Sequence, residues 1–496
     1  MLKEKISDFK NKVVNNPSFT LKEQLGYAGG IFGNSMGQDS IGTFDDKFVR
    51  KFMFRESDYY LITIIENILM ALGFIAPPVA GSILDTPVAA GKKTPTKILT
   101  GTMPIPFAVT SMLLFLVPSA SVKLNFAWLL VFRFIFNTVD AFYDLSLNTL
   151  SLRMTNNAND RKNFYTVATL ASSLGSMLPG WVIPIIVGRT DDPNTQKWLY
   201  FFCALIFCVL GLAAMFAPYF TLEEKLRVVE RPEKTKIVWD KRTVMTLLHC
   251  RSFIIMEVAT FFEQVRQLSY KLLNYMYEDV FGKYGMKAVI DAISGALSYA
   301  GLAAVPFLGK RFSARTILSG GFGYTGLFYA LMASFAIKFD LNKIRKYRYV
   351  IGIMIGLAGM PNNAIAASKK IIVGDATDYM EWYSEKKYGT PIRSEGLVSA
   401  AQSIFGNVFN IIRTNFYNIM FQKIGYKSSA NSGETVVQSE SALKGIFLMF
   451  TLCGVVGNFL ASGSYLFDNY TGKKKEVILS ELAQMRQARE ELTVEQ

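Results

Sequence analysis

Apolar residues along this chain come in long runs, each about 20 residues or more, separated by shorter polar and charged segments. Runs of that length suit helices that cross a bilayer, and they are too long and continuous for barrel strands. In the first part of the chain they fall at about Tyr59–Leu84, Ile98–Val117, Leu124–Leu150, Phe164–Val187 and Trp198–Phe220. A charged stretch, Thr221–Arg251, follows. The runs resume near Phe253–Tyr277, Ala288–Leu308, Ile317–Ile337, Tyr349–Ala367, Gly396–Gln422 and Leu443–Phe467. One earlier segment, about Leu25–Phe54, is too polar for hydropathy alone to find. It contains Asn34, Ser35, Gln38, Asp39, Asp45, Asp46, Lys47 and Arg50. The pattern predicts an all-α membrane protein.

Composition agrees. The chain is 51% hydrophobic and only 19% charged, against about 25% charge in a typical soluble domain. Its net charge of +14 is then a topology signal rather than a nucleic-acid footprint. Basic groups gather after span two (Lys92, Lys93, Lys97), after span four (Arg153, Arg161, Lys162) and in the central linker. They also follow span eight (Lys310, Arg311, Arg315) and the last span (Lys473, Lys474, Lys475). Lys343, Arg345, Lys346 and Arg348 oppose this arrangement. The balance places both termini in the cytoplasm of a multi-pass inner (plasma) membrane protein. Residues 1–24 lack the apolar core of a cleavable signal and read as a polar amino-terminal segment. Val477–Leu492 reads as a charged tail helix on the solvent or membrane surface. The cysteines, Cys203, Cys208, Cys250 and Cys453, have no metal or disulfide spacing. The only histidine, His249, lies in the linker. No nucleophile–base, metal or phosphate-loop constellation appears, so an enzyme is not expected.

Gly374–Tyr426 carries the most information. A dense charged loop holding Asp375, Asp378, Glu381, Glu385, Arg393 and Glu395 precedes a small-residue helix with Ser399, Ala400, Ala401, Ser403 and Gly406. The D-x-x-D-Y-x-E pattern (Asp375, Asp378, Tyr379, Glu381), the basic patch, Glu395-Gly396 and Ile424-Gly425-Tyr426 resemble the glycoside–pentoside–hexuronide:cation symporters. These are the melibiose-permease-like branch of the major facilitator superfamily. Leu25-Gly26-Tyr27 and Phe32-Gly33-Asn34 resemble that family's opening helix, which adds the polar segment as span one. The resemblance then implies a major facilitator fold of about 12 transmembrane helices in two six-helix halves, 25–220 and 252–469. A linker, 221–251, joins them, and a tail, 470–496, follows.

Charged groups inside spans are costly in lipid and mark cavities or pairs. On span four Arg133, Asn137, Asp140, Asp144 and Asn148 are three or four residues apart and share one helix face. The bland reading of that stripe is an interhelical salt-bridge seam. The resemblance matches Asp140 to a coupling-site acid, and we expect Asp140, Asp144 and Asn137 to form the cation-coupling site. The expected substrate-binding set is Arg133, Asp39, Tyr143, Glu263, Arg266, Tyr270, Asn363, Gln402 and Asn407. Trp128 is a further aromatic that could stack on a sugar. Asp375, Asp378, Glu381 and Arg393 are expected to close an inner gate against Arg153 or Arg161. The chain departs from the family where two second-helix acids fall on Gly73 and Pro77. The first-helix sugar-binding acid falls on Ser35, and the eleventh-helix lysine on Asn407. The fifth-helix arginine has no match near Thr166–Thr169.

The expected function is secondary active transport of a sugar, glycoside or sugar derivative by alternating access, coupled to a proton or sodium. No cofactor is implied beyond that cation. The expected partners are the small-molecule substrate and the lipid bilayer, not nucleic acid, and the expected state is a monomer. The alternative is a non-transporting membrane sensor or scaffold that kept the fold, which the absent second-helix acids favour. The orientation has its own test. In a cysteine-free background, a single cysteine placed in the 232–241 linker should resist a membrane-impermeant thiol reagent in intact cells. Rapid external labelling would overturn the orientation.

Overall fold

A computed structural model describes residues 20–73, 76–84, 93–118, 121–154, 158–222, 241–309, 311–391, 395–429, 436–470 and 472–494. Nearly all of them are helical, and none of the described residues forms a strand. Helix α1, Leu21–Phe48, starts four residues before the expected position. A capping box sets that start: the Glu23 amide donates to Thr20 Oγ1 (3.2 Å) and the Thr20 amide to Glu23 Oε2 (2.7 Å). The helix runs on into a π-helical turn, Val49–Met53.

The second span is α2 (Tyr59–Gly73) followed by α3 (Ala76–Leu84). The third is α4 (Pro95–Thr102) and α5 (Pro104–Leu113), broken where Pro104 removes a backbone donor. Then come α6 (Val122–Met154), α7 (Ala158–Val187), and α8 (Pro193–Met215) with its short extension α9 (Ala217–Thr221). A short linker helix, α10 (Lys241–His249), leads to α11 (Arg251–Tyr275), α12 (Met286–Leu308) and α13 (Ala314–Lys338). The short α14 (Leu341–Lys346) precedes the tenth span, α15 (Arg348–Ala358) and α16 (Asn362–Tyr388). The last two spans are α17 (Glu395–Ile424) and α18 (Glu440–Leu466), and α19 (Lys473–Val494) forms the tail. Seven spans among the described residues are apolar and long enough to cross a membrane. The rest, including α1, α11 and α17, carry charge or breaks.

In the amino-terminal half α1 packs on α7 and α8, and α6 on α2 to α5. In the carboxy-terminal half α18 packs on α11 and α13, and α12 on α15 and α16. Glycines permit two of these approaches. A Cβ on Gly33 would lie 2.5 Å from the Gly211 carbonyl, and one on Gly457 would lie 2.4 Å from the Arg266 amide. Between the halves α2 meets α17 and α7 meets α12. These are spans two and eleven, and five and eight. A two-fold that carries each span onto the one six later exchanges these two contacts, so the interface has the symmetry of a duplicated six-helix unit.

The charged stretch after Gly374 is not a loop, as its polarity suggested. It continues α16 to Tyr388, where Gly389 at φ 68° ends the helix. A helix of 27 residues is roughly 40 Å long, more than the hydrocarbon core spans, so its charged end projects beyond the membrane. The tail helix docks on that projection. Ile478 and Leu482 are 4% and 1% exposed. Lys475 pairs with Asp375 (2.5 Å), and Arg486 with Asp378 (2.9 Å) and Glu381 (2.6 Å). Trp382 and Lys386 donate to Glu481 and hold its carboxyl below the ordinary range. That contribution is therefore present at neutral pH and is lost as pH falls through the depressed value.

Exposed ion pairs are individually worth about 1 kcal/mol or less, whereas burying one leucine contributes about 1.5–3 kcal/mol. Apolar contact therefore holds the tail, and the charges set its register. Leu482→Asp should raise hydrogen–deuterium exchange across 473–494 far more than Arg486→Ala. The reverse order would show that the ion pairs dominate.

Candidate functional site

The halves are joined by buried charge at the end opposite the termini. Lys47, 1% exposed, ends α1 and reaches Asp279 (2.8 Å) and Glu278 (2.9 Å) on the π-helical turn after α11. Lys51 adds a bond to Glu278 and one to Gln196 (2.7 Å). Arg50 is fully buried. It pairs with Asp46 (3.1 Å), donates to Asn418 and lies over the rings of Tyr59, Tyr417 and Phe421. Asp46 also accepts from Tyr275 (2.9 Å) and Tyr417 (2.7 Å), and Asn418 donates to Glu66 (3.0 Å). Backbone contacts complete the seal, with the Ser429 amide donating to the Lys51 carbonyl (3.1 Å) and the Ser428 amide to Glu56 (2.9 Å). These bonds between the halves lie at this end and in the adjoining middle of the bundle.

Two adjoining cavities of about 450 and 380 Å³ lie against the seal. Gly42, Lys271 and Arg413 line both. The first adds Asp39 of α1, Trp181 of α7, Tyr270 of α11, and Lys287 and Asp291 of α12. The second adds Asp45, Asp46, Glu66, Arg133, Asn137 and Asn407. These volumes fall in the range of small-ligand sites, about 300–1,000 Å³. Most of the charges are internally balanced. Arg133 pairs with Asp45, Lys271 lies 3.6 Å from Glu66, and Lys287 lies 2.5 Å from Asp291.

The predicted site residues fall in several places. Asp39, Arg133, Asn137, Tyr270 and Asn407 line the cavities. Asp140 stands beside them, accepting from Gln38 of α1 (2.7 Å), with Asp144 one turn on and bonded by Asn148 (3.1 Å). Glu263 and Arg266 form a network with the tenth span. Arg266 bonds Glu263 (2.7 Å) and Asn362 (3.0 Å), Lys369 also pairs with Glu263, and Asn362 donates to Tyr270 (3.1 Å). Asn362 opens α16 at the break after Pro361, and the Asn363 amide donates to Ser298 (3.3 Å).

Three aromatic or amide expectations are corrected. Tyr143 is fully buried and donates to the Met215 carbonyl (2.7 Å), so it ties α6 to α8 and lines neither cavity. Trp128 donates to the Leu113 carbonyl (3.0 Å) and packs on Phe132. Gln402 contacts the Met256 sulfur and also lines neither cavity. Of the gate residues, Asp375, Asp378 and Glu381 meet the tail helix. Arg393 lies outside the described residues, and the side chains of Arg153 and Arg161 lie outside them as well.

Sequence reasoning noted Lys47 and Arg50 in span one without giving them a role, and it passed over Lys51, Glu278 and Asp279, which at span ends read as ordinary loop charge. It also missed Glu66, the acid that span two does carry, seven residues before Gly73, and the Lys287–Asp291 pair. Charges spaced by four residues inside an apolar run were the available signal.

The comparisons with known proteins agree with this architecture. Residues 62–469 match the family described as MFS/sugar transport protein. An uncharacterized symporter, YjmB, of Bacillus subtilis is 25% identical over 409 residues, 77% of this chain and 81% of that protein. An isoprimeverose transporter of Lactiplantibacillus pentosus is 21% identical over 369 residues, 73% of this chain and 71% of that protein. Among solved structures, the inward-open xylose transporter XylE of E. coli superposes with a TM-score of 0.59 at 11% identity, covering 93% of this chain and 98% of that one. The nucleoside transporter NupG gives 0.58 at 15% identity, covering 91% and 100%. With a twelve-span helical bundle, a polar cavity between its halves and a family match across most of its length, the chain belongs to the MFS/sugar transport protein family of the major facilitator superfamily.

Proposed function

We propose that the protein is a sugar or glycoside symporter that works by alternating access, with both termini cytoplasmic and a proton as the coupling ion. One observation carries the reading: a polar cavity between the halves is sealed by buried ion pairs at the end opposite the termini. A cavity closed off at one end is the geometry of one state of a two-state carrier. A sensor or scaffold would have no need of a hydrated space flanked by so many compensated charges, since each costs stability in lipid.

Asp140 is the proposed proton carrier. It accepts from the neutral amide of Gln38, and Asp144 lies one turn away. Two nearby carboxylates in a low-dielectric site resist joint ionisation, and the cheapest compensation is one proton. Gln38 turns a donor toward Asp140, which satisfies a carboxylate oxygen without offering a cation an oxygen ligand. The α1–α6 contact made by this bond links the titrating group to the helix that carries the seal.

In proteoliposomes the wild-type protein should accumulate labelled sugar when a pH gradient is imposed, with or without sodium. Asp140→Asn should lower gradient-driven accumulation by on the order of tenfold or more. It should leave counterflow exchange measurable, because exchange does not require release of the proton. Sodium-stimulated uptake insensitive to a proton ionophore would contradict the coupling. Full accumulation by the Asp140→Asn variant would do the same.

A further inference from the structure

A third cavity, of about 470 Å³, lies within the carboxy-terminal half on the side of the tail helix. It shares no lining residue with the two central cavities. Three long helices begin at its wall: α11 at Ser252, α13 at Ala314 and Arg315, and α19 beside Gly472 and Lys475. The first amides of a helix have no intrahelical acceptor and carry a partial positive charge. The start of α11 already has a counter-charge, because Asp468 accepts from Ser252 Oγ (2.6 Å) and from the Tyr470 amide (3.0 Å). Lys475 of α19 is held by Asp375 (2.5 Å). The start of α13 has no such partner. Arg315 in its first turn is half-buried and donates to the main-chain carbonyl of Asp468, with no carboxylate within ion-pair distance among the described residues. Tyr470 supplies a second open group. It lines the cavity and is 5% exposed, and its buried hydroxyl has no hydrogen-bond partner.

A guanidinium, a helix start and a buried hydroxyl around one space are a donor set for an oxyanion such as phosphate. Much of the remaining wall is apolar. Val305, Ile317, Ile371 and Ile372 line it, together with Phe312, which is 49% exposed. A free phosphate metabolite gains nothing from that wall, whereas an acyl chain does. The location agrees, since α12 ends and α13 begins here, where the chain turns at the membrane surface. We propose that this cavity binds the phosphate of an anionic phospholipid from the adjoining leaflet, with Arg315 as its main contact and Tyr470 as a second donor. An ammonium-bearing headgroup is disfavoured. Arg311 and Lys473 are exposed and adjoin Phe312 and Gly472 of the wall in sequence, so they repel a second cation and attract an acidic lipid. Because the first turn of α19 forms part of the wall, the bound lipid braces the tail helix against α11 and α13.

The test is hydrogen–deuterium exchange across 311–318 and 473–494 in the full-length protein, delipidated in an uncharged detergent. The probes are phosphatidylglycerol, phosphatidylcholine and glycerol phosphate, each titrated over the same range. Phosphatidylglycerol should slow exchange in both segments and saturate. Phosphatidylcholine should need a concentration about tenfold higher for the same protection. Arg315→Gln should raise the phosphatidylglycerol midpoint by about tenfold or more, and Tyr470→Phe should raise it by less. Arg315→Lys should recover part of the loss. That variant, with thermal melting in the absence of lipid, separates lost recognition from lost folding. Equal midpoints for the two lipids would overturn the anionic site, and so would an Arg315→Gln variant with the wild-type midpoint. Protection by glycerol phosphate equal to that by phosphatidylglycerol would assign the cavity to a soluble phosphate and overturn the lipid.

Discussion

Burial of charge at one end of the bundle is the constraint on which the rest depends. Lys47, Arg50 and Lys51 lie within one turn and a half of each other, and Lys47 and Arg50 are almost inaccessible. Removing one partner of a buried pair costs about 3–5 kcal/mol, because the other charge is left unpaired. The two halves must therefore meet at this end or rehydrate it. Closing it requires Glu278 and Asp279 to face α1, which brings α11 against α1 and leaves the cavity behind them. The aromatic rings of Tyr59, Tyr417 and Phe421 around Arg50 exclude water from the contact and add cation–π attraction.

The same arithmetic explains the walls of the cavity. Asp45 with Arg133, Glu66 with Lys271, and Asp291 with Lys287 place opposite charges in pairs, so each helix can present polar groups to a hydrated space without an uncompensated charge facing lipid. The exceptions carry the functional argument. Asp140 has an amide where a cation could stand, and Asp39 makes no ion pair. At the other end the tail helix occupies Asp375, Asp378 and Glu381, the acids that the family resemblance made candidates for a gate.

Much of the fold was legible because span length is set by the bilayer, and all twelve expected spans begin within about six residues of an observed helix start. The polar first span was found through short motifs rather than hydropathy, since Asp39, Asp45, Asp46, Lys47 and Arg50 point into the protein. Helical spacing placed Arg133, Asn137 and Asp140 on one side of α6, where the first two line a cavity and the third meets α1. It could not tell Tyr143 from a cavity aromatic, because a residue packed against a neighbouring helix has the same spacing as one facing water. The acids after Gly374 read as a loop because charge density was taken for irregularity, whereas a helix that leaves the membrane keeps its backbone bonds and solvates its side chains. The seal was illegible for another reason: Lys47 and Glu278 are 231 residues apart, and only the meeting of the halves makes them partners.

The direct test of the account is a distance measurement across the sealed end. Spin labels at Asn194, beside the start of α8, and Asn342, on α14, sit on exposed positions of opposite halves in a cysteine-free background. Double electron–electron resonance on the protein in nanodiscs should give a short, narrow distribution for the wild type. Lys47→Met combined with Lys51→Met should shift much of the population to longer distances as the end opens. An unchanged distribution in the double variant, with the protein still folded, would contradict the claim that these ion pairs hold the halves together.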